Sequence, residues 1–385
     1  MSESSTDEAS VDIYEHYRHL RKEQPVSRDE GGSWQVARHR DVQLVLKDNK
    51  TFSSDVSIRT AEERGEPSML FSDPPVHNRL RKLVNHAFKP AHIESQRDLI
   101  KDRCEALMIE MCKNPQPDLV DALAAPLPVT VIAHMLGVVD GDIREFKRWS
   151  DTIFSNIGDI LLGSPSEEVT KAAAEMDAYF LDCIALLRRH PENHLLGRLI
   201  ETETEDGHLA DSELLSFCRL LLIAGNETTT GLITGMARVF DELPETFNQL
   251  KTNPELIPGF IEETLRVHSP FSLTIRRTTT ETELAGIKIP AGEIVLPLIA
   301  CANRDETVFE QPEEFLIDRD PNPHLAFGFG IHNCLGAHLA RLEGQIVAEA
   351  FVKHLDGMSL ADQDSSQFDQ LGGPGKLLVN IIRSR

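Results

Sequence analysis

One long stretch of this chain is rich in apolar residues. From Ser212 to about Leu243 no proline interrupts them, with Asp211 placed to cap a helix and Pro244 to stop it. Leu214, Leu215, Phe217, Cys218, Leu220, Leu221, Leu222 and Ile223 cover nearly the whole helical wheel, so the first half of this helix is expected to be buried all round. About 32 residues rising 1.5 Å each give a rod of roughly 48 Å, long enough to traverse a domain. Further helical patterns lie between Asn253-Pro254 and Pro270, and after Pro74-Pro75, where His77 and Arg81 stand four apart on one face. The apolar run Phe271-Ser-Leu-Thr-Ile275 leads into a strand at Arg276, and Pro290-Ala-Gly-Glu293 between isoleucine-rich runs reads as a hairpin turn.

Into the long helix fall Ala224-Gly225-Asn226-Glu227-Thr228-Thr229. A buried carboxylate costs several kcal/mol unless it is paired or solvated, so Glu227 marks either a surface turn of the rod or a polar opening in it. For an opening, a threonine hydroxyl competes for the carbonyl one turn back, that of Ala224, and Gly225 tolerates the distortion.

The second informative stretch is Phe327-Gly-Phe-Gly-Ile-His-Asn-Cys-Leu-Gly336, followed by Leu339, Leu342 and Ile346 at helical spacing. A glycine-rich loop thus delivers Cys334 to the first turn of an amphipathic helix, where unpaired N–H groups and the positive helix end favour thiolate. Gly328, Gly330 and Gly336 let the backbone bend and lie against a flat ligand. A buried free cysteine is the plainer reading, and a zinc site from His332, Cys334 and His338 lacks the paired Cys-x-x-Cys spacing. No Cys-x-x-Cys-His is present for covalent attachment of a haem.

Composition narrows the rest. A formal net charge of −23 over 385 residues argues against nucleic acid as a partner. Met1 to Ser10 form a polar, acidic, flexible tail with no signal-peptide pattern, and residues 11–385 read as one domain without linker or repeat. No apolar run is long enough to span a bilayer, so no membrane partner is expected. Six scattered cysteines do not make a disulfide framework, which points to a reducing cytoplasm.

The Phe327–Gly336 segment resembles the haem–thiolate signature of the cytochrome P450 family, in its soluble bacterial class. Likeness extends from Trp34 to Val352, through Asn303-Arg304-Asp305 and the strand pair near Gly292. It implies a mainly α fold with small β-sheets, one domain, and a long central helix crossing haem b. By resemblance, Cys334 is the axial ligand, and Glu227 and Thr228 are the acid and alcohol of oxygen activation. His77, Arg81, Arg276 and His332 would bind propionates, with Phe327, Gly336 and Ala224 also against the cofactor. Glu263, Arg266 and Arg319 would form a structural network. Phe71, Ile223, Phe271, Leu273 and Thr274 would line a pocket for an apolar small molecule. The implied activity is monooxygenation, with electrons from a separate ferredoxin and its reductase. Arg79, Lys82, His338 and Arg341 would form the local basic patch for that partner. The alternative is a haem–thiolate protein that uses peroxide or only binds ligands.

Overall fold

The computed structural model describes residues 13–56, 68–138, 143–156, 164–192, 194–202, 207–361 and 375–383; the acidic tail 1–10 lies outside them. Helices α1 (Ile13–Glu23) and α2 (His39–Lys47) alternate with β1 (Val26–Arg28), β2 (Trp34–Val36) and β3 (Phe52–Ser53). A helical body follows: α3 (Val76–Ala87), α4 (Pro90–Glu94), α5 (Arg97–Met111), α6 (Pro126–Leu136), α7 (Ile143–Phe154), α8 (Glu167–Arg189), α9 (Leu195–Glu201), α10 (Asp211–Glu242), α11 (Pro244–Thr252) and α12 (Ile257–Val267). The chain then forms β4 (Arg276–Thr278), β5 (Thr282–Leu284), β6 (Ile287–Ile289), β7 (Ile294–Pro297), α13 (Ile299–Ala302), α14 (Ala337–His354), β8 (Gly357–Leu360) and β9 (Val379–Ile382). The main sheet runs β1-β2-β7-β4-β3, while β5-β6 and β8-β9 are separate pairs.

The hairpin is one turn earlier than the sequence suggests. β6 pairs with β5, with Ala285 and Gly286 at positive φ between them. β7 joins β2 and β4 instead, so Pro290–Glu293 carries the chain from one sheet to another through Gly292 at φ 84°.

Helix α10 is the axis of the body, packed against α6, α7, α8, α12, α14 and β8. Its 32 residues match the expected length, but Asp211 is its first residue and not its cap. Ala210 occupies the cap position, and its N–H donates to the Glu213 carboxylate at 2.9 Å, which does the capping from inside the first turn. The burial is also displaced: Leu215, Leu220 and Ile223 are half-buried, whereas every residue from Thr229 to Phe240 is buried. Small residues explain this. A Cβ on Gly235 would meet Thr264 and His268 at 3.2 Å, and one on Gly344 of α14 would meet Leu232 at 3.0 Å. Those glycines let α12 and α14 close on the second half. Thr230 and Thr234 donate to the carbonyls of Ala124 and Thr230 at 3.0 Å each, so their hydroxyls cost little there.

Candidate active site

Cys334 sits in the loop before α14, two residues ahead of the Gly336 cap, and not in the first helical turn. Its N–H donates to the Phe327 carbonyl at 2.8 Å, closing the loop on itself. Gly330, at φ 76°, presses on α2 so closely that a Cβ there would lie 2.7 Å from the Leu46 carbonyl oxygen. The backbone N–H groups of Gly336 and Ala337 reach the sulfur, and Arg81 and Arg341 add positive potential. Burial nevertheless outweighs them and raises the thiol pKa, so the expected preference for thiolate does not follow from the protein alone. The residue is still solvent-exposed by surface area, as a sulfur on the floor of a cleft would be. A Cβ on Gly336 would touch only this sulfur, at 4.0 Å.

Four basic groups from three segments meet nearby. His77 and Arg81 come from α3, Arg276 from β4 and His332 from the cysteine loop; the two imidazole rings lie 4.1 Å apart. Burial comes first in lowering every one of their pKa values. Arg276 falls to about 10, and His332, also repelled by His77, Arg276 and Arg81, falls to about 3. The Nε2 atoms of His77 and His332 are buried and have no protein partner. Arg277, next along β4, points elsewhere and donates to the Val56 carbonyl at 3.1 Å.

Behind the loop, Glu263 and Arg266 of α12 are fully buried. Arg266 donates to both Glu263 oxygens at 2.8 and 2.7 Å, and Arg319 does the same at 3.0 and 3.1 Å. The Leu316 N–H and Asn322 Nδ2 complete the set at 2.9 and 3.0 Å. Together these donors overcome burial and hold the Glu263 carboxyl below its usual range.

In α10, Thr228 Oγ1 donates to the Ala224 carbonyl at 2.8 Å, while the helix stays regular throughout. Glu227 turns toward α7: its carboxyl meets that of Asp151, and Asn226 Nδ2 donates to Glu227 Oε1 at 3.0 Å. Burial, then repulsion from Asp151, pushes the Glu227 carboxyl up to about 7.

Known proteins resemble this chain over nearly its whole length. A family model described as Cytochrome P450 matches residues 244–376. The putative cytochrome P450 YjiB of Bacillus subtilis is 38% identical, covering 91% of this chain and 90% of that protein. The chain belongs to the cytochrome P450 family. The erythromycin C-12 hydroxylase of Saccharopolyspora erythraea is 36% identical to this P450, with 91% and 90% covered. The crystal structure of CYP109E1 from Bacillus megaterium in complex with testosterone is 37% identical, with a TM-score of 0.86 over 95% of this chain and 98% of that one. The P450 is thus an oxidoreductase of the monooxygenase type, mainly helical with small sheets. Among the described residues no helix is long and apolar enough to cross a membrane.

The other sequence-predicted positions are less gathered. Ile223, Phe271 and Leu273 are half-buried against three different apolar clusters, and Phe71 and Thr274 are half-buried too. Phe327 packs under the Arg341 guanidinium, 4.4 Å from its ring centre. The anticipated basic patch is partly neutralised, because Arg79 is paired with Glu213, and Arg341 donates twice to Glu262 at 2.7 Å. Sequence reasoning missed Asn226, Ser150, Asp151 and Lys147. The one available signal was the i,i+4 spacing of Lys147 and Asp151, which surface helices share widely.

Proposed function

We propose that this P450 inserts one oxygen atom from O2 into an apolar small organic substrate, with haem b held by Cys334 and electrons supplied by a separate ferredoxin and its reductase. The observation that carries this reading is an exposed cysteine beside a cluster of basic groups, of which His77 and Arg276 are buried and Arg81 and His332 half-buried. Among the described residues Asp73 is the one carboxylate that bears on Arg276, so the cluster suits a ligand bringing two negative charges. His77, Arg81, Arg276 and His332 would bind the propionates, Phe327 and Gly336 would flank the sulfur, and Ala224 would face the opposite side of the ring. A cation on the sulfur would supply the stabilisation that burial denies the thiolate.

Haem supplies oxygen binding and electron-transfer chemistry when bound. The protein's share is protons and exclusion of water. Thr228 Oγ1, its own proton engaged by the Ala224 carbonyl, keeps lone pairs to accept a hydrogen bond from the cavity. Glu227, close to half-protonated near neutral pH, is poised to give up a proton. Ile223, Phe271, Leu273 and Thr274 would form a largely apolar wall, with Phe71 at its edge. Relatives named for erythromycin or bound to testosterone support a bulky, apolar substrate. The ferredoxin would dock on the Cys334 side, where Lys82 and His338 are exposed.

Two measurements test the proposal. The carbon monoxide difference spectrum of the reduced protein should show thiolate-ligated haem, and Cys334→Ser should abolish that band. Turnover with a ferredoxin system under labelled oxygen gas should place one labelled atom in the product; an unlabelled product would overturn the monooxygenase reading.

A further inference from the structure

We infer that Glu262 of α12 is a positioning residue for the Cys334 sulfur: by holding Arg341 in place and offsetting its charge, it sets how strongly the sulfur donates electrons. This rests on reading Cys334 as the haem ligand. Arg341 of α14 donates through Nε and Nη2 to the two Glu262 oxygens at 2.7 Å each. With the arginine 40% exposed and the glutamate 30%, that fork alone would be a surface ion pair of small worth. Its surroundings set it apart. The Arg341 guanidinium lies over the Phe327 ring, 4.4 Å from the centre, and the Phe327 carbonyl accepts the Cys334 N–H at 2.8 Å. The ion pair thus bears directly on the residue that closes the cysteine loop.

On its other side Glu262 meets His324, whose side chain is 3% exposed. His324 Nδ1 accepts the Ala326 N–H at 3.2 Å, which assigns the ring proton to Nε2, and Nε2 donates to Glu262 Oε2 at 3.1 Å. The backbone between is pinned as well: the Leu325 N–H donates to Asn303 Oδ1 at 2.7 Å, and the Gly328 N–H to the Leu325 carbonyl at 2.8 Å. Glu262 therefore clasps the loop from both ends, through His324 before it and Arg341 after it. Against burial, which would raise it, the hydrogen bonds from Arg341 and then His324 hold the Glu262 carboxyl at about 2, so it is ionised at neutral pH. The field of Arg341 reaches the sulfur, as does that of Arg81. A cation near a ligating thiolate draws electron density from it and favours the reduced metal; a carboxylate locked onto that cation takes part of the effect back. Glu262 in this way keeps the sulfur a strong donor without giving up the arginine that holds Phe327.

The holoenzyme with Glu262→Gln, Arg341→Gln and both together tests this, read by midpoint reduction potential and by the iron–sulfur stretching band in resonance Raman spectra. The potential should rise in Glu262→Gln, where Arg341 keeps its charge without the counterion, and fall in Arg341→Gln, where Glu262 is left unbalanced. The stretching band should move to lower frequency in the first and to higher frequency in the second. The double variant should return close to the parent, as should Glu262→Asp and Arg341→Lys, which keep the charges. A merely structural clasp would loosen the loop in either single variant and move both readings the same way; that result, or parent values in both, would overturn the inference. A parent protein without thiolate-ligated haem in its carbon monoxide spectrum would instead overturn the reading of Cys334 as the ligand.

Discussion

Glu263 and Glu227 are two poorly exposed glutamates on neighbouring helices with opposite fates. Glu263 receives two arginines, a backbone N–H and an amide, and is held below the usual carboxylate range. Glu227 receives one amide and faces another carboxyl, and is pushed up to about 7. Burial alone therefore does not set the protonation state; the donors that surround the group do. The cysteine side of the site is a fixed scaffold, and the α10 side keeps a proton that can leave.

The largest test removes the scaffold's charge. Glu263→Gln leaves Arg266 and Arg319 without a counterion in the interior, and is expected to cost about 3 to 5 kcal/mol in urea unfolding. The pH dependence follows from the sign of the shift. With the folded pKa depressed, this stability is present above the unfolded value and is lost as pH falls through the folded one. A cost under about 1 kcal/mol would mean that the network is ordinary surface-like pairing.

A third glutamate sharpens the rule. Glu343 of α14 is fully buried, its Oε2 has no partner, and burial alone pushes its carboxyl from 4.5 up to about 8. Here the unfolded chain ionises first, so stability declines as pH rises from 4.5 to about 8 and levels off above. Glu343→Gln removes that penalty. It should gain on the order of a few kcal/mol at pH 9 and almost nothing at pH 4, read as melting temperature. An unchanged pH profile would show that a hidden donor serves this carboxyl, and the donor-counting comparison would lose its extreme case.

On the mobile-proton side the effect is smaller and kinetic. Thr228→Ala deletes the hydroxyl proposed to accept from the cavity, and should lower product formed per electron pair on the order of tenfold while haem content holds. In the parent enzyme, coupled turnover should fall as pH rises through about 7, where Glu227 loses its proton. Full coupling in Thr228→Ala, or a flat profile, would make this side as inert as the scaffold.

Much of this contrast was legible in the chain. Local order carried the Cys334 loop, the length of α10 and the Thr228-to-Ala224 bond, because each depends on residues within one or two turns of each other. The misread features depend on partners far away in sequence. Asp211 looked like a cap, but Glu213 bonds Ala210 from three residues on. The apolar first half of α10 looked most buried, yet Gly235 and Gly344 permit the closer approach to its second half. The sulfur's thiolate preference was read from the nearby helix end, whereas burial, a tertiary quantity, has the larger effect. Asp151 and Lys147 were invisible because nothing near them in sequence says that another carboxyl will reach them.

The mildest test moves the comparison to the edge of the fold. Glu213, at the start of α10, takes the Ala210 N–H at 2.9 Å and pairs with Arg79, so it is another donor-rich carboxylate. It differs from Glu263 in its setting: Arg79 is 31% exposed, and water can replace much of what that pair supplies. Glu213→Ala should therefore cost only about 1 kcal/mol, mostly the lost cap, and Glu213→Gln about half of that, since an amide oxygen still accepts the N–H. The same substitutions release Arg79 from its ion pair, which should speed electron transfer from an acidic ferredoxin at low salt and leave it unchanged at high salt. If Glu213→Ala cost as much as Glu263→Gln, the exposure of the arginine partner would not separate the two carboxylates, and the count of donors alone would have to account for both.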